Sequence, residues 1–408
     1  MTTSKKDICW NTIGVTLNAF TSLVYLVIVN RINGAENGGI FSFSYSVACL
    51  LFIIGGYATR TYQVADTAEK LNDSEYLLHK ISTCGLMLIA GTLYCFLIRE
   101  PVKRSAIIAL TCLKMMEAFS DTPYAYIQKK DRLYLVGISL TIKATAEMVI
   151  FCVVDWLTNN MIAACIAIAA ASGAVTLFFD MYYARRYIIL EKVRVNRLWA
   201  LYKDGFPIFI ISFFSVYIIN AQKYAMNGIL SDELQAVFGI IIMPATFISL
   251  CGQYIMNPML NQLVEFFKDK EYQKFKNSTY KLIELLLLFW VLAEILAYLL
   301  GIPVLNLLYA ISITQYKVDL LLIILGAVFY ASAYIFQNCL IVMQKNNYQI
   351  VIYLISSFIA VSVSPILITK FGIRGATMAY LATMFSHCVM YYLYFNYTIN
   401  SFKRKREC

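Results

Sequence analysis

Charge is scarce in this chain. Lysine, arginine, aspartate and glutamate make up 14% of its 408 residues, against about 25% in an ordinary globular protein. With 60% hydrophobic residues beside them, too little polar surface remains to face water. A soluble globular protein, a disordered chain and a nucleic-acid binder are thereby excluded. Proline and glycine are few, seven and 18, so membrane-crossing segments should be helices, not the alternating short strands of a barrel. Histidine is nearly missing, with His79 and His387 far apart. The eleven cysteines are scattered without a CxxC pair, mostly in apolar runs where Cys acts as a small hydrophobe. Neither a metal site nor a disulfide scaffold is expected. The terminal Arg406-Glu407-Cys408 is no prenylation box, because Cys is last. The first apolar run begins near Ile8, has the length of a full span and lacks a small-residue cleavage site after it, so no cleavable signal peptide is expected.

What is present is long apolar runs. A helix needs about 20 such residues to cross roughly 30 Å of hydrocarbon. Twelve runs qualify, at about 8–30, 40–60, 78–98, 105–127, 133–155, 161–183, 206–228, 236–262, 279–300, 319–343, 348–369 and 375–399. The longest connections, 61–77, 184–205 and 263–278, leave no room for a soluble domain. The expected fold is an all-α polytopic membrane protein, and its chemistry belongs within the bilayer.

Basic residues set the orientation. With the N-terminus in the cytoplasm, the inward segments hold 24 Lys and Arg, from Lys5 and Lys6 through Arg60, Lys70 and Lys80 to Lys403, Arg404, Lys405 and Arg406. The outward segments hold seven: Arg31, Arg99, Lys103, Arg104, Lys317, Lys370 and Arg374. Both termini are therefore expected in the cytoplasm, with an even number of spans. The net charge of +10 reflects topology, and no nucleic-acid partner is implied. Tyr182, Tyr183 and Tyr187, and likewise Tyr391, Tyr392, Tyr394 and Tyr397, stand where interfacial aromatics anchor helix ends.

The chain reads as two halves: an N-terminal six-helix lobe 1–183, a basic cytoplasmic linker 184–205, and a C-terminal six-helix lobe 206–408. Residues 32–41 after the first span and 229–238 after the seventh align with Glu36 on Glu233 and Phe41 on Phe238. Gln128-Lys129-Lys130-Asp131 and Gln344-Lys345-Asn346-Asn347 close the fourth and tenth spans. Parallel repeats with a pseudo-two-fold axis along the membrane normal are a transporter architecture, with the substrate site at the repeat interface. Chance similarity of short turn sequences is the competing explanation.

Several stretches resemble one family. Val29-Asn30-Arg31-Ile32-Asn33-Gly34-Ala35-Glu36-Asn37-Gly38-Gly39-Ile40-Phe41 is similar to the R-x-L-G-x-x-x-x-G turn of Wzx-type polysaccharide flippases, departing from it at Asn33, where an apolar residue is usual. Arg60-Thr61-Tyr62-Gln63-Val64-Ala65-Asp66, Phe119-Ser120-Asp121 with Gln128 to Leu133, Leu230-Ser231-Asp232-Glu233 through Gly239, and Lys370-Phe371-Gly372-Ile373-Arg374-Gly375-Ala376 resemble further segments in the same order. The family belongs to the multidrug/oligosaccharidyl-lipid/polysaccharide exporter superfamily. The resemblance implies twelve helices in two MATE-like six-helix lobes around a central cavity, and transport of undecaprenyl-diphosphate-linked oligosaccharide to the outer leaflet. It also implies a place beside a polysaccharide polymerase and glycosyltransferases in capsule, O-antigen or cell-wall synthesis, with bilayer lipids as surroundings.

Ionisable residues inside spans are costly and so are candidates for function. The fourth span carries Lys114, Glu117 and Asp121 on one helical face; the fifth carries Lys143 and Glu147 one turn apart. Equal depth predicts a cross-helix quartet, Lys143 with Glu117 and Lys114 with Glu147. It either staples two helices or lines the cavity and exchanges partners with phosphate or a coupling proton. Lys223 either snorkels to the outer interface or contacts the diphosphate, as the resemblance implies. Arg31 and Arg60 lie at the interfaces with the same two readings. Glu117, Asp121 and Glu294 are the candidates for coupling to protons or Na+, with membrane potential as a further drive. No organic cofactor is expected. A cation-coupled drug exporter of the same fold is the first rival, although the run from Ile8 to Asn30 lacks the first-span carboxylate common there. A membrane polymerase or glycosyltransferase is the second, and the short loops offer it no catalytic site.

Overall fold

In a computed structural model the chain is helical almost throughout, and no strand occurs among the described residues. The structure describes residues 5–57, 59–66, 71–345 and 348–407. Lys70, Asn346 and Asn347, used above in the charge count and the repeat, lie outside them, as do Cys408 and the side chains of Arg404, Lys405 and Arg406. The chain forms two compact units, Met1–Val216 and Tyr217–Cys408. The division falls inside a helix that starts within the basic segment 184–205.

The first unit contains α1 (Lys5–Ile32), α2 (Gly34–Gly56), α3 (Thr59–Ala65), α4 (Asp73–Cys95), α5 (Pro101–Lys129), α6 (Leu133–Thr158), α7 (Met161–Val175), α8 (Met181–Ala184) and the start of α9 (Val195–Met226). Local sequence sets the breaks. Gly34, at φ +87°, turns α1 into α2 through a conformation that side chains resist. Asn72 and Glu75 form a reciprocal capping box at the start of α4. Asn160 accepts from the first-turn N–H groups of α7. Asp7 reaches across from α1 to accept the Tyr134 N–H at the start of α6, 2.7 Å away, placing an anion at a helix N-terminus. α1 and α6 cross at Gly14 and Gly137, where a Cβ on either would strike the other helix's backbone.

Polar contacts gather the same ends of these helices. Asp7 ties the start of α1 to the start of α6. Lys80 ties α4 to the end of α2, Lys129 ties the end of α5 to Asp66, and Lys130 lies over the Tyr187 ring. One end of the unit thus carries Lys6, Arg60, Lys129, Lys130 and the 185–194 segment, as alternating antiparallel spans require.

The second unit completes α9 and adds α10 (Asp232–Ile241), α11 (Met243–Lys268), α12 (Tyr272–Leu296), α13 (Ile302–Tyr309), α14 (Lys317–Val342) and α15 (Gln349–Glu407). Pro244 and Pro303 each stand in the first turn of the helix that follows a break, where a missing N–H costs nothing. Before Pro303 the backbone passes through a π-turn, Ala297–Gly301. α14 packs on α11, α12 and α15. α15 is 59 residues long, about 88 Å at helical rise, nearly three bilayer cores. It breaks at Gly372, whose φ of +59° and ψ of −133° are not helical.

Among the described residues, ten stretches are long and apolar enough to cross a membrane by length and composition, against the twelve expected. The difference has two sources. α5, at 29 residues, carries Lys103, Arg104, Lys114, Glu117 and Asp121, and the two runs 348–369 and 375–399 fall in the single stretch Gln349–Lys403. The protein is an all-α, multi-pass membrane protein.

Candidate functional site

α5 carries Lys114, Glu117 and Asp121 in its middle, and α2, α3, α4 and α7 pack around it. Lys114 Nζ donates to both carboxylate oxygens of Glu117, at 2.9 and 2.8 Å, one turn further along the same helix. The ammonium group lies 4.9 Å from the centre of the Tyr45 ring of α2, a cation–π arrangement. This pair keeps some access, with side chains 10% and 18% exposed. Asp121, the next residue on that face, is 24% exposed and lies 4.0 Å from Lys80 Nζ of α4.

Lys80 itself is wholly buried. Its ammonium donates to the Gly55 and Gly56 carbonyls, at 2.9 and 3.1 Å, at the end of α2. Those carbonyls have no intrahelical partner, and a cation there also opposes the negative end of the helix dipole. Arg60 of α3 donates from Nε and Nη2 to Gln128 Oε1 and lies over the Tyr124 ring.

The expected quartet does not form. Lys143 Nζ pairs with Asp180 Oδ2 at 2.7 Å and also donates to Ser120 Oγ and Tyr124 OH. Ser139 donates to the other Asp180 oxygen at 2.5 Å. All five residues are buried. Glu147 instead accepts from Tyr25 OH of α1 at 3.0 Å. The physical reason is packing. α6 packs chiefly on α1 and α7 and much less on α5, and the π-turn Thr176–Asp180 after α7 carries Asp180 to the Lys143 ammonium. Glu117 is left to its own helix, where the i, i+3 spacing suits Lys114.

Of the remaining candidates, Arg31 is exposed at the end of α1 and Lys223 is half-buried near the end of α9. Glu294 of α12 is half-buried and accepts from Trp290 Nε1 at 3.1 Å. Lys223 and Glu294 belong to the second unit; the others belong to the first. Sequence reasoning missed Asp180 and counted Lys80 as a loop cation. Lys80 had a signal: Tyr76, Lys80, Thr83 and Met87 fall on one helical face, and all are buried. Asp180 had none, because a lone acid near a span end reads as interfacial.

A multidrug resistance MATE family transporter of the MOP superfamily, in an inward-facing conformation, matches with a TM-score of 0.70 at 14% identity, over 98% of this chain and 99% of its own. An outward-facing MATE family transporter matches at 0.66 and 13% identity, over 98% and 96%. A MOP superfamily transporter from Pyrococcus furiosus matches at 0.61 and 13% identity, over 98% and 95%. The fold is therefore that of the MATE-like membrane transporters. Residues 4–250 match the family described as polysaccharide biosynthesis protein, and the chain belongs to it. The capsular polysaccharide biosynthesis protein CapF of Staphylococcus aureus is 21% identical over 383 residues, 93% of this chain and 96% of CapF.

Proposed function

We propose that this protein moves undecaprenyl-diphosphate-linked oligosaccharide from the inner to the outer leaflet of a bacterial cytoplasmic membrane. The observation that carries the reading is the face of α5. In a chain of a polysaccharide biosynthesis family, it keeps the carboxylates of Glu117 and Asp121 partly accessible, with the Lys114 ammonium buried against Glu117. Dragging a diphosphate through hydrocarbon is prohibitive. Lys114, already held by a carboxylate, exchanges that partner for phosphate, and Glu117 is then released to take a proton or Na+. Lys143, sealed with Asp180, holds the unit together, while Arg31, Arg60, Glu147, Lys223 and Glu294 remain subsidiary candidates. In this reading α5 spans despite its charges and α15 crosses twice about Gly372, which makes twelve helices. The halves 1–183 and 206–408 rock about the linker 184–205, with both termini cytoplasmic and a polymerase and glycosyltransferases as neighbours in the pathway.

A deletion strain tests it. Lipid-linked repeat units should accumulate facing inward, and the intact gene should restore surface polysaccharide. Units displayed outside but unpolymerised would identify a polymerase. Normal polysaccharide with sensitivity to cationic drugs would identify a drug exporter.

A further inference from the structure

Residues 185–203 lead from α8 into the first turns of α9. Their backbone is fastened to the start of α4. The Ile189 N–H donates to Asp73 Oδ2 at 2.8 Å, the Glu191 N–H to Ser74 Oγ at 2.8 Å, and the Arg194 N–H to Glu75 Oε1 at 3.0 Å. Asn72 Nδ2 donates back to the Lys192 carbonyl at 3.0 Å. Three consecutive α4 side chains therefore hold a stretch, 189–194, that has no regular structure of its own. In α9, Leu201 is buried, and Tyr202 meets Ser82 and the Tyr57 ring.

With the backbone held inward, the side chains of the strap 185–203 stand out. Leu190 is 76% exposed and Trp199 71%, and Ile189 and Val195 are exposed beside them. Interleaved with these apolar groups are exposed Arg185, Arg186, Lys192, Arg194, Arg197 and Lys203, with Glu191 the lone acid between 185 and 203. Arg185 and Arg186 lie over the Tyr182 ring, at 4.8 and 5.2 Å. Tyr182 in turn sits at the end of a membrane-crossing stretch, Met161–Ala184. Large apolar side chains pinned outward in water are a liability. At the boundary between headgroups and acyl chains they are stabilising, and basic residues beside them meet lipid phosphate.

We propose that residues 185–203 form a docking surface for anionic phospholipid of the adjacent leaflet. Leu190, Val195 and Trp199 enter the headgroup boundary while Arg185, Arg186, Lys192 and Arg194 hold phosphodiester groups. The spread of the cations selects this ligand. They run along an extended strap with apolar groups between them and do not converge on one pocket, as a single diphosphate would require. Each cation near an anionic surface favours the bound state roughly fivefold, so the surface should enrich anionic over zwitterionic lipid. Its cations are not those on α5, so lipid selection can be read without a transport assay.

Trp199 is the reporter. The full chain is placed in phosphatidylcholine nanodiscs containing a fixed fraction of brominated phosphatidylglycerol or of brominated phosphatidylcholine. The Trp199 signal is taken as the difference from Trp199→Phe. Quenching several-fold stronger with the anionic bromolipid is expected, and most of the excess should be lost in R185Q/R186Q/K192Q/R194Q. That variant leaves the four bonds to Asn72, Asp73, Ser74 and Glu75 intact, since the strap makes them with backbone groups. Equal quenching by the two lipids in the unsubstituted protein would overturn the proposal without any variant having to fold. So would an excess that survives the four substitutions, or one abolished by free inorganic phosphate, which would mark a simple anion site.

Discussion

Two lysines in neighbouring spans do different physical work. Lys143 is enclosed with Asp180, Ser120, Ser139 and Tyr124, and every one of its partners is buried. Removing one member of such a pair strands the other charge in protein, which costs about 3–5 kcal/mol. Lys143→Met is therefore expected to lower the unfolding midpoint sharply, and Lys143→Met/Asp180→Asn to recover most of the loss, as read by denaturant unfolding in detergent. Lys114 shares a partly open site with Glu117. Lys114→Ala should move the unfolding midpoint less than Lys143→Met yet abolish surface polysaccharide in a complemented deletion strain. Equal unfolding losses for the two would erase the distinction between staple and site. Both lysines were visible in the sequence, because charges interrupt apolar runs. Their partners were not. Equal depth on consecutive spans says nothing about which helices touch, and the π-turn that delivers Asp180 leaves no mark on a hydropathy pattern.

At the scale of elements, the helices themselves were the most legible part. Hydropathy placed the first span at 8–30, inside the observed Lys5–Ile32, and the fifth at 133–155, inside Leu133–Thr158. How they approach one another depends on residues without side chains. A Cβ on Gly137 would meet the Trp10 carbonyl and the Asn11 amide, and backbone cannot swing aside. Gly137→Ala should separate α1 from α6 at a cost of about 1–3 kcal/mol, seen as a lower melting temperature in detergent. Gly56→Ala, where nothing lies within reach of a Cβ, serves as the tolerant comparison in the same assay. Gly372 is a different case. Open space surrounds it, but its backbone conformation is one that other residues rarely adopt. Gly372→Ala should cost about 1–3 kcal/mol, or straighten α15 and abolish transport without loss of the helix.

For the whole molecule the governing quantity is the placement of charge. Basic residues divide 24 to seven between the two sets of loops, a pattern that composition alone makes readable. In the first unit the contacts of Asp7, Lys80, Lys129 and Lys130 bring the ends bearing one set together. With that face in the cytoplasm, membrane potential pushes an anionic substrate outward by about 2.3 kcal/mol per charge per 100 mV, roughly fiftyfold in the distribution between leaflets. Proteoliposomes containing lipid-linked oligosaccharide and a potassium diffusion potential make this measurable. Translocation should accelerate when the donor side is negative, and slow when the potential is collapsed at constant pH and Na+. Should translocation ignore the potential and follow a pH or Na+ gradient instead, the drive would lie in carboxylates such as Glu117 and Asp121 and not in the charge of the cargo. Glu117→Gln and Asp121→Asn separate those cases. They should leave potential-driven movement largely intact if the cargo's own charge is the handle, and abolish movement if an ion carried by these acids is.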